Sequence, residues 1–128
     1  MREGIFTISL DFELHWGGFE KWPLTGDQTG YSRIFRGSRV RPDYRRYFLN
    51  TRLVIPEMLE TMAAQQVHAT WATVGLLFHG SRKEIEDMRP ALLPAFNRDY
   101  LSAYQYQAVN GIGESETDDR FHYAPSLI

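Results

Sequence analysis

The sequence contains no cysteine. That excludes disulfides, thiolate metal sites and cysteine nucleophiles, and it bears only weakly on compartment. It has no apolar run long enough to cross a bilayer. It also lacks an apolar h-region near its start: Met1-Arg2-Glu3-Gly4 leads straight into an alternating segment that already carries an acid. Nor is there an excess of one charge. The formal net charge is -2 over 128 residues, which gives no bulk attraction to nucleic acid or to an anionic membrane surface. What remains is a chain of 43% hydrophobic content, long enough for one domain with a sizeable core. The expectation is a single domain over 1–128, cytoplasmic, with neither nucleic acid nor membrane as partner.

Residues 5–13, IFTISLDFE, alternate cleanly. Phe6, Ile8, Leu10 and Phe12 point one way and Thr7, Ser9, Asp11 and Glu13 the other, which predicts a strand. The polar side carries no long Lys or Arg of the kind a solvated face has. Residues 17–50 are rich in Gly, Arg, Tyr and Phe, include Pro23 and Pro42, and keep no period. They read as a long irregular loop, with an arginine-rich run from Arg33 to Arg46 that could meet carboxylates or phosphates, or could simply be solvated.

A helix is predicted from about Thr51 to Gln66, with Leu53, Ile55, Leu59, Met62 and Ala63 at helical spacing. Asn50 or Thr51 would cap it, and Pro56 fits best in a first turn. Residues 68–75, HATWATVG, read as a second strand. Strand–helix–strand makes a parallel βαβ crossover the leading topology. Ser81-Arg82-Lys83-Glu84 has capping-box spacing and predicts a short helix that stops near Pro90. Another helical turn or two is expected within 100–109, followed by an irregular polar segment.

Asp11 and Glu13 carry the strongest chemical signal. Two apart on a strand, they leave one face with Cα atoms about 7 Å apart. Both could reach one divalent ion, or one could hold a metal while the other takes a proton from its bound water. They could equally cap a neighbouring helix or meet arginines of the long loop. Their predicted place at the C-terminal end of a parallel strand is where α/β folds build sites. Trp16-Gly17-Gly18 follows at once. Trp16 is either an aromatic platform for a sugar ring or part of the core, and His15 either joins the acids or sits at their rim. His68, His79 and His122 read as surface or loop residues. No two histidines have the spacing that sets both on one side of a helix.

FTISLDFELHWG, then HATWATVGLLF, then GIGESETDDRFHYAPSLI resemble the polysaccharide deacetylase superfamily, in the branch whose first motif reads D-F-E. The resemblance runs from Ile5 to Ile128 and is weakest over 17–48. It implies an α/β fold, the N-terminal part of a distorted (β/α) barrel. It also implies a metal-dependent hydrolase, with zinc the first choice of divalent metal, that removes N- or O-acetyl groups from a carbohydrate polymer or oligosaccharide. By that resemblance Asp11 is the general base and Glu13 the metal ligand, although the usual ligand directly follows the base and Phe12 stands there. His15 and Trp16 are the substrate-side candidates.

The H-x-x-x-H metal motif of the family is absent. The expectation is therefore a truncated domain, inactive as an isolated chain, with weak or no metal affinity. Two strands alone would leave exposed edges and favour self-association. The alternative is a non-catalytic carbohydrate-binding or protein-interaction module. A glycosidase reading of D-x-E needs a further aspartate two positions upstream, where Ser9 stands.

Overall fold

Two parallel strands and the helix that crosses between them organise the chain. The computed structural model describes residues 4–17, 24, 44–98, 101–106 and 111–128. Strand β1 (Ser9–Phe12) pairs in parallel with β2 (Thr70–Thr73), Ser9 opposite Thr70 and Phe12 opposite Thr73. Helix α1 (Tyr44–Ala64) lies between them in sequence, and the short helix α2 (Arg82–Asp87) follows β2. This is a small mixed α/β arrangement, and the expected parallel βαβ order is present.

Strand β1 is shorter than the alternation over 5–13. Its ladder reaches back only to Ile8, whose carbonyl accepts from Thr70 N–H at 2.9 Å. Ile5 and Phe6 lie beyond that partner and are 94% and 86% exposed. At the other end Leu14 adopts φ 46°, and the chain winds into a 3-10 turn over Leu14–Gly17. Alternation thus stops at Phe12, and Glu13 belongs to the exit from the strand.

Helix α1 begins at Tyr44, seven residues before the expected start at Thr51. The end of the supposed 17–50 loop is therefore helical; the rest of it, apart from Gly17 and Leu24, lies outside the described residues. Arg45 lies 5.1 Å from the centre of the Phe121 ring, a contact that holds this first turn to the body. Asn50 and Thr51 are internal, not caps. The Thr51 hydroxyl instead donates to the Tyr47 carbonyl at 3.1 Å, the usual mid-helix solution for a β-hydroxyl. Pro56 is also internal and has no N–H to offer the carbonyl four residues back.

The helix stops in a Schellman arrangement. Val67 N–H donates to the Met62 carbonyl at 2.9 Å and Gln66 N–H to Ala63 at 3.1 Å, with Gln66 at φ 53°.

Helix α2 starts as its sequence predicts. The Ser81 side chain accepts from Glu84 N–H at 3.2 Å, and the Glu84 carboxylate accepts from Gly80 N–H at 2.7 Å. The helix ends at Asp87, ahead of Pro90. Residues 101–106 form turns, and the remainder of the helical stretch expected over 100–109 lies outside the described residues.

The core is assembled largely from irregular chain. Phe12, Leu14 and Trp16 come from the strand exit, Leu77 from the 3-10 turn Gly75–Phe78, Ile85 from α2 and Ile55 from α1. Ile112, Tyr123 and Ala124 come from the segment 111–128. That segment is stitched in by backbone bonds: His15 N–H to Phe121, Arg82 N–H to Glu114, Glu116 N–H to Gly80 and Ala124 N–H to Leu77, each at 3.1 Å. Among the described residues no helix is long and apolar enough to cross a membrane.

Candidate functional site

Asp11 lies in β1 opposite Ala72 and is exposed. Phe12 points the other way into the core and meets Trp71 edge-on, with ring centres 6.4 Å apart. Glu13, just past the strand, is half-buried. Its side chain lies across Gly17, where an added Cβ would fall on the Glu13 atoms. Any larger residue at 17 would displace that carboxylate, so glycine here is a condition for the Glu13 position. Both acids occupy the C-terminal end of β1, where parallel α/β sheets place their sites.

His15 and Trp16 are in the core, not at the rim. His15 is 0% exposed and Trp16 6%. The Trp16 indole N–H donates to the His122 carbonyl at 2.8 Å. Its ring stands 5.0 Å from that of His122, steeply inclined. Of the two readings of Trp16, the structure shows the core one, and no face is open as a platform for a sugar. His15 Nδ1 lies 2.7 Å from His122 Nε2, and Phe48 of α1 packs edge-on against the His15 imidazole at 5.4 Å.

The line continues to a carboxylate. His122 Nδ1 is 2.7 Å from Asp119 Oδ2. Asp119 also accepts the N–H groups of Gly113 at 2.8 Å and Phe121 at 3.0 Å. Burial pushes this carboxyl up, but the bond and charge of His122 and the two backbone donors outweigh it and hold Asp119 below the usual carboxylate range. The close approach of segment 119 to Gly113 leaves no room for a side chain there: a Cβ at Gly113 would lie 2.6 Å from the Asp119 Cβ.

Beside this line sits Arg52 of α1, 5% exposed. Its Nε donates to the Arg120 carbonyl at 3.0 Å and its Nη1 to Glu116 Oε1 at 2.7 Å and Ser126 Oγ at 3.4 Å. Its Nη2 donates to the Tyr123 carbonyl. Glu116 in turn accepts from the Ser126 hydroxyl and backbone N–H. Burial pushes Glu116 up, while the bonds from Ser126 and Arg52 together pull it below its ordinary value. Burial also pushes the Tyr123 hydroxyl up, with the Asp119 charge adding to it; that hydroxyl donates to the Gly113 carbonyl at 2.7 Å.

Sequence spacing did not single out Asp119 or His122. They are three apart in an irregular segment, and His122 meets His15 across 107 positions. The one local signal was Gly113, which permits the tight approach to Asp119. Among the described residues no group of three or more His, Asp and Glu side chains is placed to hold a metal ion. The described residues therefore offer two strand-end carboxylates and not a complete ligand set. No protein-family model, curated protein or solved structure matches the chain.

Proposed function

We propose that this chain carries the strand-end acids of a hydrolase of the deacetylase type that it resembles, acting on acetylated carbohydrate. The single observation that carries the reading is the placement of Asp11 and Glu13 at the C-terminal end of β1 in a parallel βαβ unit. In this reading the unit is the opening of a distorted (β/α) barrel. Asp11 is solvent-facing and so able to take a proton from an attacking water. Glu13, its carboxylate packed over Gly17, is the more buried of the two acids and is the metal ligand by resemblance. The described residues do not complete a ligand set, so the metal is left out of the step assigned to Asp11.

The test is binding and turnover of an N-acetylated chito-oligosaccharide, measured by calorimetry and acetate release, with and without zinc and with chelator. Zinc-dependent sugar binding that is lost in Glu13→Gln, with any acetate release lost in Asp11→Asn, is the expected result. Sugar binding indifferent to zinc and to both substitutions would overturn the hydrolase reading and point to a binding module. Lack of acetate release alone is expected of a chain without the H-x-x-x-H motif, whereas absence of sugar binding under all conditions would overturn the reading too.

A further inference from the structure

The Asp119–His122–His15 line has a direction, and it can be worked out from its acceptor end. An ionised carboxylate only accepts hydrogen bonds. Asp119 already takes Gly113 N–H on Oδ2 and Phe121 N–H on Oδ1. The 2.7 Å contact from His122 Nδ1 must then carry the proton on the ring. In the neutral form of His122 the one ring proton is therefore on Nδ1, which leaves a lone pair at Nε2. The 2.7 Å contact to His15 Nδ1 therefore requires an N–H on His15 Nδ1. With its proton there, a neutral His15 is the Nδ1–H tautomer. This is the tautomer that an imidazole in water does not prefer, so the protein selects it.

The same short segment grips the turn after β1 by its backbone. The Phe121 carbonyl accepts His15 N–H at 3.1 Å, and the His122 carbonyl accepts the Trp16 indole at 2.8 Å. All three rings and the carboxylate are buried. A core that needed only volume here would be served by apolar side chains, without the cost of burying two imidazoles and a charge. What the polar line adds is orientation.

We propose that Asp119 and His122 are positioning residues for the strand-end site. They fix His15 in its Nδ1–H tautomer and tie the Leu14–Gly17 turn, and with it the Glu13 carboxylate packed over Gly17, to the segment 119–122. The link to Glu13 as a site residue rests on the function proposed above; the tautomer does not.

Long-range proton–nitrogen NMR spectra of the full chain, labelled with 15N-histidine and recorded at about pH 8, where an ordinary imidazole is neutral, read the tautomers directly. His15 and His122 should both show the Nδ1–H pattern, while exposed His68 shows the ordinary Nε2–H pattern. In Asp119→Asn, His15 should shift to the Nε2–H pattern and the Glu13 carboxyl 13C resonance should move. His15 found as Nε2–H in the unsubstituted chain overturns the proposal without any variant having to fold. A folded Asp119→Asn protein with the His15 pattern and the Glu13 resonance both unchanged overturns it as well. Loss of the sugar response described above leaves these spectra as they are, so the two proposals fail separately.

Discussion

The segment 111–128 and the helix α1 are built on opposite principles. The segment has one short 3-10 turn, Pro125–Leu127, and otherwise no regular structure, yet it buries Ile112, Asp119, His122, Tyr123 and Ala124. Helix α1 runs for 21 residues and buries only Arg52 and Ile55. Its Leu53, Val54 and Leu59 are 67%, 52% and 42% exposed. Between α1 and the sheet lies a cavity of about 280 Å³, lined by Phe12, Ile55, Leu59, Trp71, Thr73 and Leu127 among others. A second, of about 490 Å³, runs past Met62, Val67 and His68. The difference follows from backbone hydrogen bonding. A helix satisfies its own polar groups and can remain loosely packed. An irregular segment can be buried only when each polar group finds a specific partner, and those partners fix it.

Arg52 joins the two regions, so it gives the largest test of the comparison. Arg52→Met keeps most of the volume but removes the donor shared by Glu116, Ser126 and the carbonyls of Arg120 and Tyr123. A loss of about 4 kcal/mol is expected in denaturant unfolding, because breaking a buried pair leaves the partner uncompensated. Amide exchange should accelerate across 114–126 more than in α1. A loss below about 1 kcal/mol would show that the segment does not depend on the helix. Next in size, Leu77→Ala should cost about 3 kcal/mol, as for a fully enclosed leucine, and Leu59→Ala well under 1 kcal/mol. Equal losses at the two leucines would erase the distinction between a tight and a loose side.

Asp119→Asn probes the tight region through charge. Hydrogen bonds to an ionised group are typically worth about 2 kcal/mol, and a loss of that order is expected at neutral pH. The sign of the pH dependence follows from the lowered folded value of Asp119. Its contribution is complete above the ordinary carboxylate value of about 4 and disappears as pH falls through the lower folded value. The stability curves of the two proteins should therefore separate above about pH 4 and converge in acid. Urea midpoints taken from pH 2 to pH 7 would check this. A constant offset at all pH values would mean that the carboxylate acts through shape alone.

What the sequence made legible was local. The alternation around β1, the β-rich run of β2 and the capping box of Ser81 and Glu84 each depend on neighbours a few residues away, and each element lies inside the stretch its pattern marked, with both strands shorter than that stretch. The start of α1 was missed although Tyr44, Tyr47 and Phe48 stand at helical spacing, because the arginine-rich run around them reads as loop. It is held by contacts far along the chain, Arg45 on Phe121 and Phe48 on His15. The site divides the same way. Asp11 and Glu13 announce themselves by spacing, whereas Asp119 and His122 acquire meaning only when residue 122 reaches residue 15. The burial of Trp16 belongs to that second group too, since its indole partner is the His122 carbonyl.

The smallest expected effect lies at the loose end of α1. Gln66 closes the helix at φ 53°, a conformation in which a Cβ crowds the backbone and which glycine adopts freely. The Schellman bonds from Gln66 and Val67 are backbone bonds and survive the change of side chain. Gln66→Gly removes the steric cost of about 1 kcal/mol, part of which is offset by the greater freedom of glycine in the unfolded chain. The net gain should be about 0.5 kcal/mol, seen as a rise of about 2 °C in Tm. Gln66 is exposed and lines the larger cavity. A decrease in Tm would mean that its side chain packs α1 against the sheet more firmly than the open groove implies, and the contrast with 111–128 would shrink accordingly.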